Sequence, residues 1–270
     1  MVAAFELFRP AFLPESPRVY PEIGLIEAQF AFWKDVAESR NELERFNQAM
    51  KKREKEREDN PVATIGNGRG IVIAPGRTLE REFYYPVANA LVADGFKPII
   101  LSGGEGLNRV SFDEGRKRIR NGVSYIKQET GMKAIILSHS KSVWIAMDDM
   151  KEDDSGFYKE NVESVVFMGG HPEARVDPNL IAASQPLLSL SADRDLIERM
   201  MKIETVPKIE GVTMSFFVSP RDPIVRMPNG WIPGENEYLV DSSHHGMLFG
   251  HAYDMTIQSL TPESLLHKAA

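Results

Sequence analysis

The feature that most limits the fold is an alternation of short apolar, β-rich runs with helical segments after Pro61. The apolar runs lie at 71–74, 98–101, 134–137, 165–168, 214–218 and 238–240. Such alternation is typical of a mostly parallel sheet that is covered by helices. The sequence therefore predicts an α/β domain over residues 61–270.

An N-terminal extension, residues 1–60, precedes this domain. From Leu25 to about Glu58 it contains no proline or glycine and consists largely of good helix formers, which predicts one long helix. The apolar residues of its first half are Leu25, Ile26, Phe30, Phe32, Trp33, Val36 and Ala37. We expect this half to dock on another surface, and the charged run 51–59 to be solvated because its signs alternate. The sequence leaves open whether the helix docks on its own domain, on a second subunit in a homo-oligomer or on an acyl chain.

Composition narrows the class of protein. The 270 residues carry a formal net charge of -7, so no broad basic face is expected and nucleic acid is not a predicted partner. The absence of cysteine excludes disulfides, thiolate catalysis and Cys-based zinc sites. No run reaches the roughly 18 to 20 apolar residues that span a bilayer, and the first 22 residues do not resemble an export signal. We expect a cytoplasmic protein that acts on a small molecule without a metal or cofactor.

The most informative segment is Ser138-His139-Ser140-Lys141-Ser142, which follows the run 134–137 and precedes a helical pattern. A serine on a sharp strand-to-helix turn exposes its hydroxyl above the sheet and directs the next amide at a developing oxyanion. The crowded turn requires small residues two positions before and after, and both are serine here. Ser140 is therefore the candidate nucleophile, although an ordinary helix N-cap would also suit this serine.

A serine nucleophile needs a base, and the base needs an acid that holds its tautomer. Asp222 lies in a turn just after the run 214–218, which would place its carboxylate at a strand end. The alternative acid is Asp195, but it falls inside a helical pattern over residues 191–203. Asp222 is the preferred candidate.

The candidate base is His244, which follows the run 238–240 through a short polar turn. The resulting chain order of Ser, Asp and His is the order found in α/β folds of this kind. His245 is the alternative, but it begins the next apolar segment. We expect His139 to pack beneath the turn and His171 to have a structural role, and the histidine spacing does not suggest a metal site.

Two backbone amides are expected to bind the oxyanion. One belongs to Lys141, directly after the candidate nucleophile, and the other to Arg77 in the loop after the run 71–74. Gly76 in that loop permits a tight turn.

From about Arg69 to Leu248 the chain resembles the α/β-hydrolase superfamily, especially its lipase and esterase branch. There an elbow Gly-His-Ser-Lys-Gly-Gly follows a helix that ends in Thr-Gly, and here Thr130-Gly131 precedes the segment 138–142. The acid motif Ser-x-x-Asp-x-x-Val of that branch is matched at 219–225. Its base motif Ser-His-x-Gly-Leu is matched at 243–247, with methionine in the last position, which favours His244 over His245.

The resemblance implies an α/β-hydrolase fold that cleaves a carboxylic ester or thioester through an acyl-enzyme. The chain departs from the branch in three places: both elbow glycines are serine, Val143 replaces a small residue, and Pro75-Gly76 replaces His-Gly in the oxyanion loop. Two other functions stay open. The same residues would serve an acyltransferase, and a catalytically degenerate relative would be a binding or scaffold protein.

Overall fold

The fold is known from a computed structural model, which describes residues 24–59, 66–77, 80–101, 110–176, 198–200 and 202–261. In chain order the strands are β1 (Gly70–Ala74), β2 (Lys97–Ile100), β3 (Ala134–His139), β4 (Val162–Met168), β5 (Arg175–Val176), β6 (Thr213–Val218), β7 (Val225–Arg226) and β8 (Glu237–Leu239). Six of them form one sheet in the order β2-β1-β3-β4-β6-β8, with every pairing parallel. Strands β5 and β7 form a separate antiparallel pair.

One helix precedes these strands, and the others lie between and after them. They are α1 (Leu25–Asp59), α2 (Tyr85–Ala93), α3 (Phe112–Thr130), α4 (Lys141–Lys151), α5 (Phe157–Asn161) and α6 (Gly250–Ser259). Short 3₁₀ turns at Arg81–Tyr84 and His245–Leu248 precede α2 and α6. In the described ranges, no helix combines the length and apolar character needed to cross a membrane.

Two adjacent interior strands, β1 and β3, explain why the sheet needs helices on both faces. Every residue of β1 and β3 is buried, and successive side chains point to opposite faces of a strand. Val72 and Ile136 pack in the layer that contains α3 and α4, whereas Ile73 and Ile135 pack in the layer that contains α2 and α6. The predicted α/β fold with a mostly parallel sheet is therefore confirmed.

The long N-terminal helix packs against this domain at both halves. Phe32 is buried in the layer of α3 and α4, and Phe46 is buried in the opposite layer. The Phe46 ring lies 5.4 Å from the ring of Phe249 and 5.2 Å from that of Tyr253, measured between centroids. Helix α1 therefore docks on its own chain through more than the first half of its length.

Parts of α1 face outward. Its exposed large apolar residues are Ile26, Phe30 and Trp33. Residues 51–56 are mostly exposed, as expected for alternating charges, but Arg53 also pairs with Asp254 of α6 at 2.6 Å. A domain boundary at residue 60 and a homo-oligomer formed through this helix both stay predictions.

Candidate active site

The turn between β3 and α4 holds Ser140 in an unusual backbone conformation. Its φ is 54° and its ψ is -123°, a combination that residues with a Cβ rarely adopt. The Ser140 N–H donates to the carbonyl of Met168 at 2.8 Å, which ties the turn to the neighbouring strand β4. An N-cap residue has extended backbone angles and a side chain that accepts from the helix; Ser140 has neither. Its half-buried hydroxyl is instead directed at a histidine.

Ser140, Asp222 and His244 meet because they follow β3, β6 and β8, and the carboxyl ends of parallel strands share one edge of the sheet. The Nε2 atom of His244 lies 2.8 Å from Ser140 Oγ. Its Nδ1 atom lies 2.6 Å from Asp222 Oδ2. An ionised carboxylate only accepts hydrogen bonds, so Nδ1 carries the proton and Nε2 accepts from the serine hydroxyl.

The Asp222 side chain is fixed by its own turn. Its Oδ1 atom accepts from the N–H groups of Ile224 and Val225 at 2.8 and 2.9 Å. The carboxylate is buried, and its second oxygen is left for His244. Asp195, the alternative acid, lies outside the described residues.

The protonation of His244 follows from its surroundings. Burial on its own would lower the pKa of the imidazole, but the charge and hydrogen bond of Asp222, helped by the charge of Asp35, raise the pKa above its ordinary value of 6.5. A raised pKa means that the imidazolium is stabilised. His244 is therefore suited to take a proton from the Ser140 hydroxyl and to hold it.

His139 packs beneath the turn, as the sequence indicates, and is part of a hydrogen-bonded chain. The Gly76 N–H donates to the hydroxyl oxygen of Tyr84 at 2.6 Å. That hydroxyl lies 2.8 Å from His139 Nδ1, and His139 Nε2 lies 3.1 Å from the carbonyl oxygen of His244. Because the carbonyl can only accept, Nε2 carries the proton and Nδ1 accepts from Tyr84. Burial holds the pKa of His139 well below 6.5, so this ring stays neutral.

The loop after β1 lies against the candidate nucleophile. A Cβ at Gly76 would be 2.9 Å from Ser140 Cβ and 2.9 Å from His139 Nδ1, so only glycine permits this approach. The Ser142 hydroxyl donates to the carbonyl of Pro75 at 2.5 Å and ties the loop to α4. The serine that replaces the second elbow glycine thus fixes the loop that carries Arg77.

Sequence reasoning did not identify two residues of this site. Tyr84 is fully buried and links the loop after β1 to His139. Gly169, just after β4, has a φ of +68°, and a Cβ there would lie 3.0 Å from Cε1 of His244. The sequence signal for Gly169 is its position directly after the buried apolar run 165–168.

His171 and His245 have partners other than Ser140 and Asp222. His171 is buried, with Nε2 3.0 Å from Glu237 Oε1 and Nδ1 accepting from the Glu173 N–H, which agrees with the expected structural role. His245 places its Nδ1 atom 2.5 Å from Asp35 Oδ2 of helix α1. Across the described residues, no group of three or more His, Asp or Glu side chains is arranged to hold a metal ion.

The sheet order, the helices on both faces and the turn at Ser140 define an α/β-hydrolase fold, and the chain has that fold. Known structures with the same fold include lipase B of Aspergillus fumigatus, with a TM-score of 0.50 and 13% identity over 74% of this chain and 54% of that one. The mature Bacillus licheniformis lipase BlEst2 gives a TM-score of 0.53 and 12% identity over 75% of this chain and 96% of that one.

The propeptide form of BlEst2 gives a TM-score of 0.54 and 12% identity over 73% of this chain and 51% of that one. The matched part of this chain thus spans about half the length of this form and of the A. fumigatus lipase. No sequence-family model and no curated protein matches the chain. Similarity at this level of identity establishes the fold alone.

Proposed function

We propose that this protein is a serine hydrolase that cleaves a carboxylic ester or thioester through an acyl-enzyme. Ser140 is the nucleophile, His244 the general base and Asp222 the acid that orients the base. The observation that supports this most strongly is the continuous hydrogen-bonded chain of 2.8 and 2.6 Å from Ser140 Oγ through His244 to Asp222. A buried histidine bridging a serine and a carboxylate is the arrangement that serine acyl chemistry needs.

In the first half of the reaction His244 Nε2 takes the hydroxyl proton while Ser140 Oγ attacks the ester carbonyl. The N–H groups of Lys141 and Arg77 stabilise the oxyanion of the tetrahedral intermediate. Lys141 follows Ser140 directly and is the first residue of α4, the position whose N–H a strand-to-helix turn of this kind directs at the oxyanion. Collapse of the intermediate transfers the proton from His244 to the leaving alcohol or thiol and leaves an ester on Ser140.

In the second half a water molecule gives a proton to His244 Nε2 and attacks the acyl-enzyme. The second tetrahedral intermediate then releases the carboxylic acid, and the proton returns to Ser140 Oγ. Throughout, the Nδ1–H bond to Asp222 keeps the imidazole in one tautomer and stabilises its charged form. Asp222 itself is not protonated in this cycle.

Serine at positions 138 and 142 is compatible with a catalytic turn at Ser140. The strained backbone is at position 140 itself, and the chain adopts it with serine at positions 138 and 142. The hydroxyl of Ser142 is engaged with the loop after β1. Serine in place of the two elbow glycines therefore does not favour the hypothesis of a degenerate binding protein over that of an enzyme.

The test is hydrolysis of p-nitrophenyl acetate, butyrate and octanoate by the wild type and by Ser140→Ala. We expect release of p-nitrophenolate by the wild type, and a rate at least about 10³-fold lower in the variant. Added methanol distinguishes hydrolysis from acyl transfer through the amount of methyl ester formed. A folded wild type that is no faster than Ser140→Ala on all three esters would contradict the proposal.

A further inference from the structure

One face of helix α1 lies directly behind the loop that carries His244. Asp35, Ser39 and Glu42 are spaced by four and three residues, which places them on the same side of a helix. All three make hydrogen bonds to residues 242–245. This contact is separate from the aromatic packing of Phe46 further along the helix.

Asp35 contacts the candidate base itself. Its Oδ1 atom accepts from the backbone N–H of His244 at 2.6 Å. Its Oδ2 atom accepts from His245, from the ring Nδ1–H at 2.5 Å and from the backbone N–H at 3.4 Å. Asp35 as a residue is only 3% exposed, so these contacts replace the water that an ionised group would otherwise need.

The next turn of the helix binds the preceding residues of the loop. Glu42 accepts from the Ser242 hydroxyl at 2.9 Å and from the Ser243 N–H at 3.2 Å. The hydroxyls of Ser39 and Ser243 lie 2.9 Å apart. A Cβ at Gly246 would lie 1.3 Å from Glu42 Oε2, so the Glu42 carboxylate occupies the space that a larger residue in the loop would need.

We propose that the turns of helix α1 from Asp35 to Glu42 are part of the active site and that Asp35 is a positioning residue, which holds His244 against Ser140 through the backbone of the histidine loop. The inference rests on the proposed function, since it assigns a role in that reaction. It extends the active site beyond the segment from Arg69 to Leu248 that resembles α/β-hydrolases.

The charge of Asp35 gives this role a measurable signature. Burial would raise the pKa of Asp35, but the hydrogen bond and charge of His245 and the contacts with His244 lower the pKa below its ordinary value, so the group is ionised. The groups that face His244 are Asp222 from the loop after β6, Asp35 from α1, His139 from β3, and His245 beside it. Burial lowers the pKa of both His139 and His245, which leaves two carboxylates as the charges that favour the His244 imidazolium.

The experiment compares the pH dependence of kcat and kcat/KM for the wild type and Asp35→Asn on p-nitrophenyl butyrate. The acid limb of kcat/KM reports the pKa of the base in the free enzyme. Because Asp35 raises that pKa, its neutral replacement should move the acid limb to lower pH. Looser positioning of His244 should lower kcat by about 10- to 100-fold, with KM little changed.

The matched control is Arg53→Gln, which breaks the ion pair of α1 with Asp254 and leaves the histidine loop intact. We expect its kcat and its acid limb to equal those of the wild type. A purely structural role of Asp35 would lower thermal stability without moving the acid limb. An Asp35→Asn variant with wild-type kcat and acid limb would overturn the inference, whereas a wild type that is no faster than Ser140→Ala would overturn the proposed function instead.

Glu42→Gln is the second variant, in case Asp35→Asn does not fold. Its carboxylate is half-buried and binds the same loop. We expect a lower kcat with an unchanged acid limb, since the charges that raise the pKa of His244 are those of Asp222 and Asp35. A folded Glu42→Gln with wild-type kcat would then overturn the assignment of α1 to the active site.

Discussion

Ser140 holds a backbone conformation in which glycine should be more stable than alanine. At a φ of 54° and a ψ of -123°, a residue with a Cβ has a steric cost that glycine lacks. Ser140→Ala keeps the Cβ and removes the hydroxyl, whereas Ser140→Gly removes both. Because neither variant has a nucleophile, their difference in stability isolates the backbone strain.

The expected difference follows from two opposing effects. A strained backbone of this kind costs about 1–3 kcal/mol. The larger conformational freedom of glycine in the unfolded chain lowers the stability of the glycine variant by about 0.5–1 kcal/mol. From the middle of each range, Ser140→Gly should be more stable than Ser140→Ala by about 1 kcal/mol, or about 2–4 °C in Tm for a domain of this size.

Urea unfolding followed by circular dichroism measures this difference, with calorimetry as the second method. Both variants should fail to hydrolyse p-nitrophenyl esters, since neither has a nucleophile. Equal stability of the two variants, or greater stability of Ser140→Ala, would refute the idea that strain is stored at this turn.

Two further substitutions test the surroundings of the site. Tyr84→Phe leaves the buried N–H of Gly76 without its acceptor, so the free energy of unfolding should fall by about 1–3 kcal/mol in urea titrations; an unchanged value would contradict the role given to the hydroxyl. Gly169→Ala places a Cβ 3.0 Å from the His244 ring and should lower kcat/KM by about 10²-fold. The control is Gly211→Ala, which has a similar φ of +76° and open space around it, and equal kcat/KM in both variants would count against the contact.

The fold could be predicted because its strands are local features of the sequence. The run 134–137 is continuously apolar and lies within β3, which extends to His139. A strand that is buried on both faces can be identified from its own residues, because they are nearly all apolar. The limits of strands depend on their neighbours. The run 165–168 covers only the second part of β4, because Val162 to Ser164 are kept in the sheet by pairing with β3.

The site could be predicted where it depends on chain order, and not where it depends on packing. Ser140 follows a strand and precedes a helix, which the residues around it indicate. Asp35 is 209 residues away from His244 in the sequence, and the pattern of α1 shows which positions are apolar without showing what they meet. A contact between an N-terminal helix and a loop near the other end of the chain is decided by tertiary packing alone.

The most direct measurement of the central claim is the intact mass of the protein after incubation with a fluorophosphonate, for the wild type and Ser140→Ala side by side. We predict one adduct on the wild type, located at Ser140 by peptide mapping, and no adduct on the variant. An unmodified wild type that is folded by circular dichroism, or an adduct that persists in Ser140→Ala, would contradict the assignment of Ser140 as an activated nucleophile.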